Sequence, residues 1–272
     1  MNRGLARLEQ LPISVRLIRE IHAELLQGVR GSYLTPGELR RNQNWIGPAG
    51  ATLSNASFVP PPPAEVPKAL RDLEIFLQQA DDLPLLLVKI GLAHAQFETI
   101  HPFRDGNGRV GRLLITFLLC ERGALHKPVL YLSHYFKVHR QEYYNRLQAV
   151  RDSGDWEGWL EFFLRGVAEV SVEAAETARQ ILLLREEHRS LIAESLGRAA
   201  GNGHRILQYL YEHPIASAKE VQDLIGTTFA AANQIVHRLV DIGILREITG
   251  QARHRRFQYE PYVRLFSDDP SI

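Results

Sequence analysis

Residues 84–99, "PLLLVKIGLAHAQFET", open on a proline, which suits the first turn of a helix, and are apolar on nearly every face. Such a helix is stable only when other elements cover it on all sides. A second apolar stretch follows at roughly 109–122, carrying Leu113, Leu114, Phe117 and Leu118 and stopping at Gly123. The chain therefore has to build a helical core around this pair. Further helices are predicted at 14–27, where Val15, Ile18, Ile21, His22 and Leu25 share one face, and at 139–151. A long helical region from Trp156 to about Leu196 is expected to be interrupted near Gly166. Residues 36–63 break the helical period with Pro36, Gly37, Gly47, Pro48 and Gly50, and read as a hairpin followed by a polyproline turn at 60–63.

The totals narrow the class. A chain of 272 residues with 45% hydrophobic and 23% charged residues has the make-up of a soluble globular protein and is long enough for two domains. The single cysteine, Cys120, lies in an apolar run, which excludes an internal disulfide and argues for a reducing compartment; the cytoplasm is the expected location. No basic-then-apolar leader opens the chain, and the longest uncharged stretch, 42–64, is broken by Pro and Gly, so no membrane span is expected. A net charge of +1 means that any affinity for nucleic acid has to come from a local patch.

The two apolar helices are joined by "HPFRDGNGRVGR", residues 101–112. A loop of small residues entering a helix leaves backbone N–H groups free, where the positive end of the helix dipole adds to their pull on an anion. Gly106 and Gly108 allow close approach of a phosphate, and Asp105 offers a hard oxygen suited to Mg²⁺. Arg109 and Arg112, three apart, share a helix face and can grip a polyphosphate together. His101 is a general-base candidate. A glycine-rich basic loop can also merely cap a helix, but capping calls for no such density of His, carboxylate and Arg.

This stretch matches every fixed position of the Fic family motif, HxF(P/x)(D/E)GNGRxxR, at His101, Phe103, Asp105, Gly106, Asn107, Gly108, Arg109 and Arg112. The flanking "LPISVRLIREIHAELLQGVRG", "TPGELRRNQNWIG", "FVPPPP", "AHAQFETIHPF" and "YYNRLQAVRDSGDWEGWLEFF" also resemble bacterial Fic proteins, over roughly residues 11–190. The resemblance implies a mainly α fold, a Fic helical core with a small β-hairpin flap, that transfers AMP from ATP to a Tyr, Thr or Ser hydroxyl of a protein and releases pyrophosphate. It assigns His101 as the base, Asp105 as the Mg²⁺ ligand, and Gly106, Asn107 and Gly108 as the anion hole. Arg109 and Arg112 would bind the phosphate tail, while Phe103 packs inward. The hairpin at about 43–59 corresponds to the flap on which a target protein, or another copy of the chain, docks by strand addition. Tyr143, Tyr144 and Leu147 match positions lining the adenine pocket, although aromatics at helical spacing also serve as plain core. Arg151 stands where some relatives have Asn, which leaves the nucleobase preference open.

Many relatives carry an inhibitory [S/T]xxxE[G/N] helix whose Glu pairs with the second motif arginine, here Arg112. The ten residues before the first predicted helix, "MNRGLARLEQ", lack it; Ser153–Gly158 match only formally, and Ser190–Ser195 lack the last position. Activity without a release step is the expectation. "GRAAGNG", 197–203, reads as a linker, so the expected domains are a Fic domain at 1–198, a linker at 199–203 and a winged helix-turn-helix at 204–272. The wing at 246–264 gathers Arg246, Arg253, Arg255, Arg256 and Arg264, and the recognition helix offers Asn233, Gln234, His237 and Arg238. Winged helices bind DNA or proteins, so a DNA-binding regulator with a nucleotide-sensing core is the alternative to the enzyme. Self-association stays open.

Overall fold

The computed structural model describes residues 2–8, 11–28, 35–47, 50–79, 83–126 and 131–266. The chain divides into two compact units, Met1–Val172 and Glu173–Ile272.

The first unit is helical. Helix α1 (Asn2–Leu8) is followed by α2 (Val15–Leu25), whose start is fixed by Ser14, a hydroxyl accepting the Leu17 N–H at 3.3 Å. Leu17, Ile18 and His22 form its buried stripe. Helix α3 (Val66–Gln78) has proline in its first turn and buries Leu70, Leu73 and Leu77. Helices α4 (Leu83–Ile100) and α5 (Asn107–Glu121) are the expected apolar pair and pack on each other at the centre. Phe97 and Phe117 are wholly enclosed there, each worth roughly 1.5–3 kcal/mol of hydrophobic stabilisation. Helix α6 (Leu132–Val138) leads into α7 (Arg140–Ser153) and α8 (Trp156–Leu196). Trp159 near the start of α8 donates its indole N–H to the Gly91 carbonyl of α4 at 2.8 Å, fixing that end of α8 against the central helix.

The second unit holds the rest of α8, then α9 (Ala200–Glu212), α10 (Ala218–Ile225) and α11 (Phe229–Asp241). A Ser217–Glu220 capping box starts α10, and Thr228 caps α11. Strands β1 (Ile215–Ala216), β2 (Arg246–Glu247) and β3 (Phe257–Gln258) form an antiparallel sheet in the order β1-β3-β2, with Phe257 opposite both Ala216 and Glu247. Helix α12 (Glu260–Arg264) ends the described chain. Ile206, Leu210, Val236, Leu239 and Phe257 belong to its core.

Three expectations are corrected. Helix α8 runs through Gly166 without a break, and 199–203 are helical instead of a linker, with the division between units falling inside α8. In both places glycine serves close packing: a Cβ on Gly166 would lie 2.5 Å from the Tyr135 ring, and one on Gly203 2.7 Å from Ile192. The flap hairpin reduces, among the described residues, to a single bridge in which Ile46 and Phe58 exchange both backbone hydrogen bonds at 2.8 and 3.1 Å. The glycine and proline residues that punctuate 43–59 leave too few consecutive extended positions for a ladder.

Gly166→Val is expected to lower stability by about 1–3 kcal/mol through overpacking against Tyr135. Urea unfolding followed by tryptophan fluorescence checks it, since Trp159 lies on the same helix; an unchanged midpoint would show the contact to be soft.

Candidate active site

Helix α4 stops where the His101 N–H donates to the Phe97 carbonyl at 3.0 Å and His101 adopts a left-handed φ of 47°, an uncommon conformation for a residue with a Cβ. The chain turns again at Gly106, φ 80°, a position that favours glycine, and α5 begins at Asn107. The Gly106 N–H is taken by Asp105 Oδ1 at 2.7 Å. The next three backbone N–H groups, those of Asn107, Gly108 and Arg109, precede the first donor of the α5 ladder, Val110 to Gly106 at 3.0 Å, and have no partner among the described residues. Free donors of this kind at a helix start suit an anion. Of the expected hole of Gly106, Asn107 and Gly108, the Gly106 N–H is engaged by Asp105 and the other two are free.

Side chains from distant segments hold this loop. Arg40 is buried and spreads its donors over the Ile100 carbonyl (3.3 Å), the His101 carbonyl (2.9 Å) and the Pro61 carbonyl. Its own N–H reaches the Pro102 carbonyl at 2.9 Å. The carbonyls of Ile100 and His101 lie at the negative end of α4, where a cation is favoured. On the other side, His22 Nδ1 accepts the Gly37 N–H at 2.8 Å, which leaves Nε2–H to donate to the Asp105 carbonyl at 2.9 Å. The His22 ring stacks on Phe103 at 3.7 Å, and Phe103 is buried as expected. The Asn107 side chain brackets the Phe103 peptide, accepting its N–H and donating to its C=O, both at 2.8 Å. Asn44 donates to the same carbonyl at 3.1 Å and to His101 Nδ1 at 2.9 Å. Arg40 and Asn44, both inside "TPGELRRNQNWIG", were not singled out from sequence; nothing in local pattern points either side chain at a loop about 60 positions away.

The electrostatics follow from burial among cations. His101 is pushed down to about 4, first by desolvation and then by Arg151 and Arg40, so the ring is neutral at pH 7. Glu98, on the last turn of α4, is buried and pushed up to about 7 by desolvation against the pull of Arg112 and Arg151. Its Oε1 makes no hydrogen bond. Arg151 donates to the Glu98 carbonyl at 3.1 Å and lies 3.9 Å over the Phe58 ring, coupling α7 to the flap segment. Helix α1 carries no acidic residue in "NRGLARL" and so offers Arg112 no carboxylate.

A cleft of about 480 Å³ opens beside α5, lined by Arg109, Arg112, Lys137, Arg140, Tyr143 and Tyr144, among others. The two expected arginines and the two tyrosines therefore meet in one cavity. Tyr144 is half exposed, whereas Tyr143 is buried, with its hydroxyl donated to His94 Nε2 at 2.8 Å. Leu147 is buried in the core and does not line the cleft. Lys137 and Arg140 were missed; exposed charges on helix ends look in sequence like ordinary solvated surface. Asp105 is a single half-exposed carboxylate 3.4 Å from Arg109, and no cluster of three or more His, Cys, Asp or Glu side chains able to hold a metal occurs among the described residues. That donor set cannot cage an ion alone, but it fits Mg²⁺, which usually takes one or two carboxylates and completes its shell from phosphates and water.

In the second unit, a cleft of about 600 Å³ is lined by Lys219, Phe229, Asn233, Arg253, Arg255 and Arg256, among others. Several of the expected basic residues are engaged internally: Arg246 and Arg264 with Glu260, and Arg256 with Glu220. Arg255 donates to His237, and Arg238 to the Ser195 carbonyl. No helix among the described residues is long and apolar enough to cross a membrane.

Residues 12–119, within the first unit, match the Fic/DOC family. Among curated relatives, "Protein adenylyltransferase Fic" of Aedes aegypti is 34% identical over 151 residues, covering 55% of this chain and 27% of that protein. A "Probable protein adenylyltransferase" of Aquifex aeolicus is 44% identical over 70 residues, covering 26% of this chain and 22% of that protein. The chain thus spans about a quarter of the length of these relatives. In fold it is similar to a Fic family protein from Desulfovibrio desulfuricans, with a TM-score of 0.56 at 20% identity, covering 94% of this chain and 72% of that one.

His94 gives the first unit a pH-dependent stability. It is buried between the Gly111 carbonyl and Tyr143 and pushed from 6.5 down to about 4, chiefly by desolvation. As pH falls below 6.5 the unfolded chain gains a proton that the folded one refuses, so the contribution is intact above that value and lost on the way down to about 4. Between those limits the wild type should lose up to ~1.4 kcal/mol per pH unit more than His94→Gln, measured by urea unfolding at stepped pH. Parallel pH profiles would refute the assignment.

Proposed function

We propose that the chain is a protein adenylyltransferase that moves AMP from ATP to a Tyr, Thr or Ser hydroxyl of a protein. The observation that carries the reading is convergence: the free N–H groups of Asn107, Gly108 and Arg109, the guanidinium pair Arg109 and Arg112, and an aromatic-lined cleft all adjoin His101's loop. The amide donors suit an α-phosphate whose negative charge grows during attack. The arginines suit the departing tail. Tyr144 and the edge of Tyr143 offer a face to the adenine. A bond forms between the acceptor oxygen and the α-phosphorus while the bond to the β-phosphate bridge breaks, the hydroxyl proton passes to His101, and pyrophosphate leaves. Asp105 would hold Mg²⁺, which, when bound, neutralises charge on the phosphates.

The acceptor segment docks by strand addition along the flap at about 43–59, beside the bridge of Ile46 and Phe58, where Trp45 and Leu53 are exposed. The same chain acting as its own acceptor is included in this reading. The second unit is proposed to be a winged helix-turn-helix, on the strength of its helix order and its β1-β3-β2 sheet. Lys219, Arg253 and exposed Phe229 around one cleft favour DNA as its partner, and the ion pairs of Arg246, Arg256 and Arg264 weigh against it. A regulator acting through this unit is the second reading.

Incubation with Mg²⁺ and either α- or γ-labelled ATP decides between them. AMP transfer puts only the α-label on protein, and His101→Ala should cut incorporation by at least ~10²-fold. Transfer of the γ-label would instead mean a kinase. A salt-dependent gel shift of DNA that survives His101→Ala, without protein labelling, would favour the regulator.

A further inference from the structure

The proton on His101 is assigned by its neighbours. Asn107 cannot be turned over, because its Oδ1 accepts the Phe103 N–H and its Nδ2 donates to the Phe103 C=O; the remaining N–H points at His101 Nδ1 at 3.3 Å. Asn44 cannot be turned over either without facing its oxygen to that same carbonyl, 3.1 Å away, so it too presents N–H to Nδ1, at 2.9 Å. Two amide donors converge on one ring nitrogen, which must therefore be the acceptor. In a neutral imidazole the proton is then on Nε2, which has no hydrogen-bond partner among the described residues.

Enclosed Nδ1 leaves Nε2 as the nitrogen able to meet an acceptor hydroxyl, and in this state it is a donor. A histidine base needs the opposite arrangement, with Nδ1–H held by an acceptor and the Nε2 lone pair free; an amide in place of such an orienting carboxylate costs roughly 10⁴-fold in kcat in serine hydrolases. Asn44 therefore has to leave Nδ1 before His101 can take up the tautomer of a base.

We infer that Asn44 is a positioning residue that selects the tautomer of His101: it holds the base in its Nε2–H, unproductive form, and must withdraw from Nδ1 for proton abstraction. Asn44 precedes the Ile46–Phe58 bridge by two positions, so the segment on which an acceptor docks is the one that sets the state of the base. The inference rests on the adenylyltransferase reading for its meaning, but its test does not. ¹⁵N spectra of the ligand-free full chain, labelled at histidine and assigned by difference against His101→Gln, read the tautomer directly. Wild type should show Nε2 protonated and Nδ1 bare. In Asn44→Asp the carboxylate accepts at Nδ1, so the two nitrogens should exchange their signals, and α-label incorporation should rise several-fold with KM for ATP unchanged. Nδ1–H in the wild type, or the wild-type pattern persisting in a folded Asn44→Asp, would overturn the inference. Loss of His101-dependent labelling with the tautomer as stated would instead count against the adenylyltransferase reading alone.

Discussion

The first unit depends on how the carbonyl groups released at the end of α4 are satisfied. A helix end exposes acceptors that water would ordinarily take, but here the end is inside the protein. One guanidinium, that of Arg40, covers the carbonyls of Ile100 and His101 and ties them to Pro61. With those acceptors fixed, the backbone can afford the left-handed turn at His101, and the loop is delivered to α5 with its N–H groups free. His22 and Asn107 complete the frame by pinning Asp105 and Phe103.

Much of this was legible in the sequence, and for a physical reason. Fully apolar helices can be read without knowing what covers them, so α4 and α5 were found close to their observed limits. The motif residues were found because anion binding at a helix start needs small residues in consecutive positions. The frame was illegible because its contacts are long-range: Arg40 to His101 and Asn44 to Phe103 join segments whose separation carries no periodic signal. Gly166 and Gly203 misled because in sequence glycine marks either freedom or crowding, and only the packed neighbours Tyr135, Ile192 and Leu196 show it to be crowding here.

Burial and charge pull in opposite directions around the site. The desolvation that pushes His101 down also pushes Glu98 up; Arg112 and Arg151 resist the second effect, while Arg151 and Arg40 reinforce the first. The result is a local field dominated by cations, suited to a polyanion and unwelcoming to a further proton. The tyrosines divide labour in the same way: Tyr143 spends its hydroxyl on His94 and contributes an edge, leaving Tyr144 as the ring with access to solvent.

The guanidinium of Arg40 loses some basicity to burial, yet an arginine remains charged throughout the range in which proteins survive. His101, whose carbonyl it holds, and Glu98, three residues earlier, change charge within that range. This anchor is thus blind to acidity while the ring beside it is not, so a change of pH alters what His101 can do without loosening the guanidinium's hold on the end of α4.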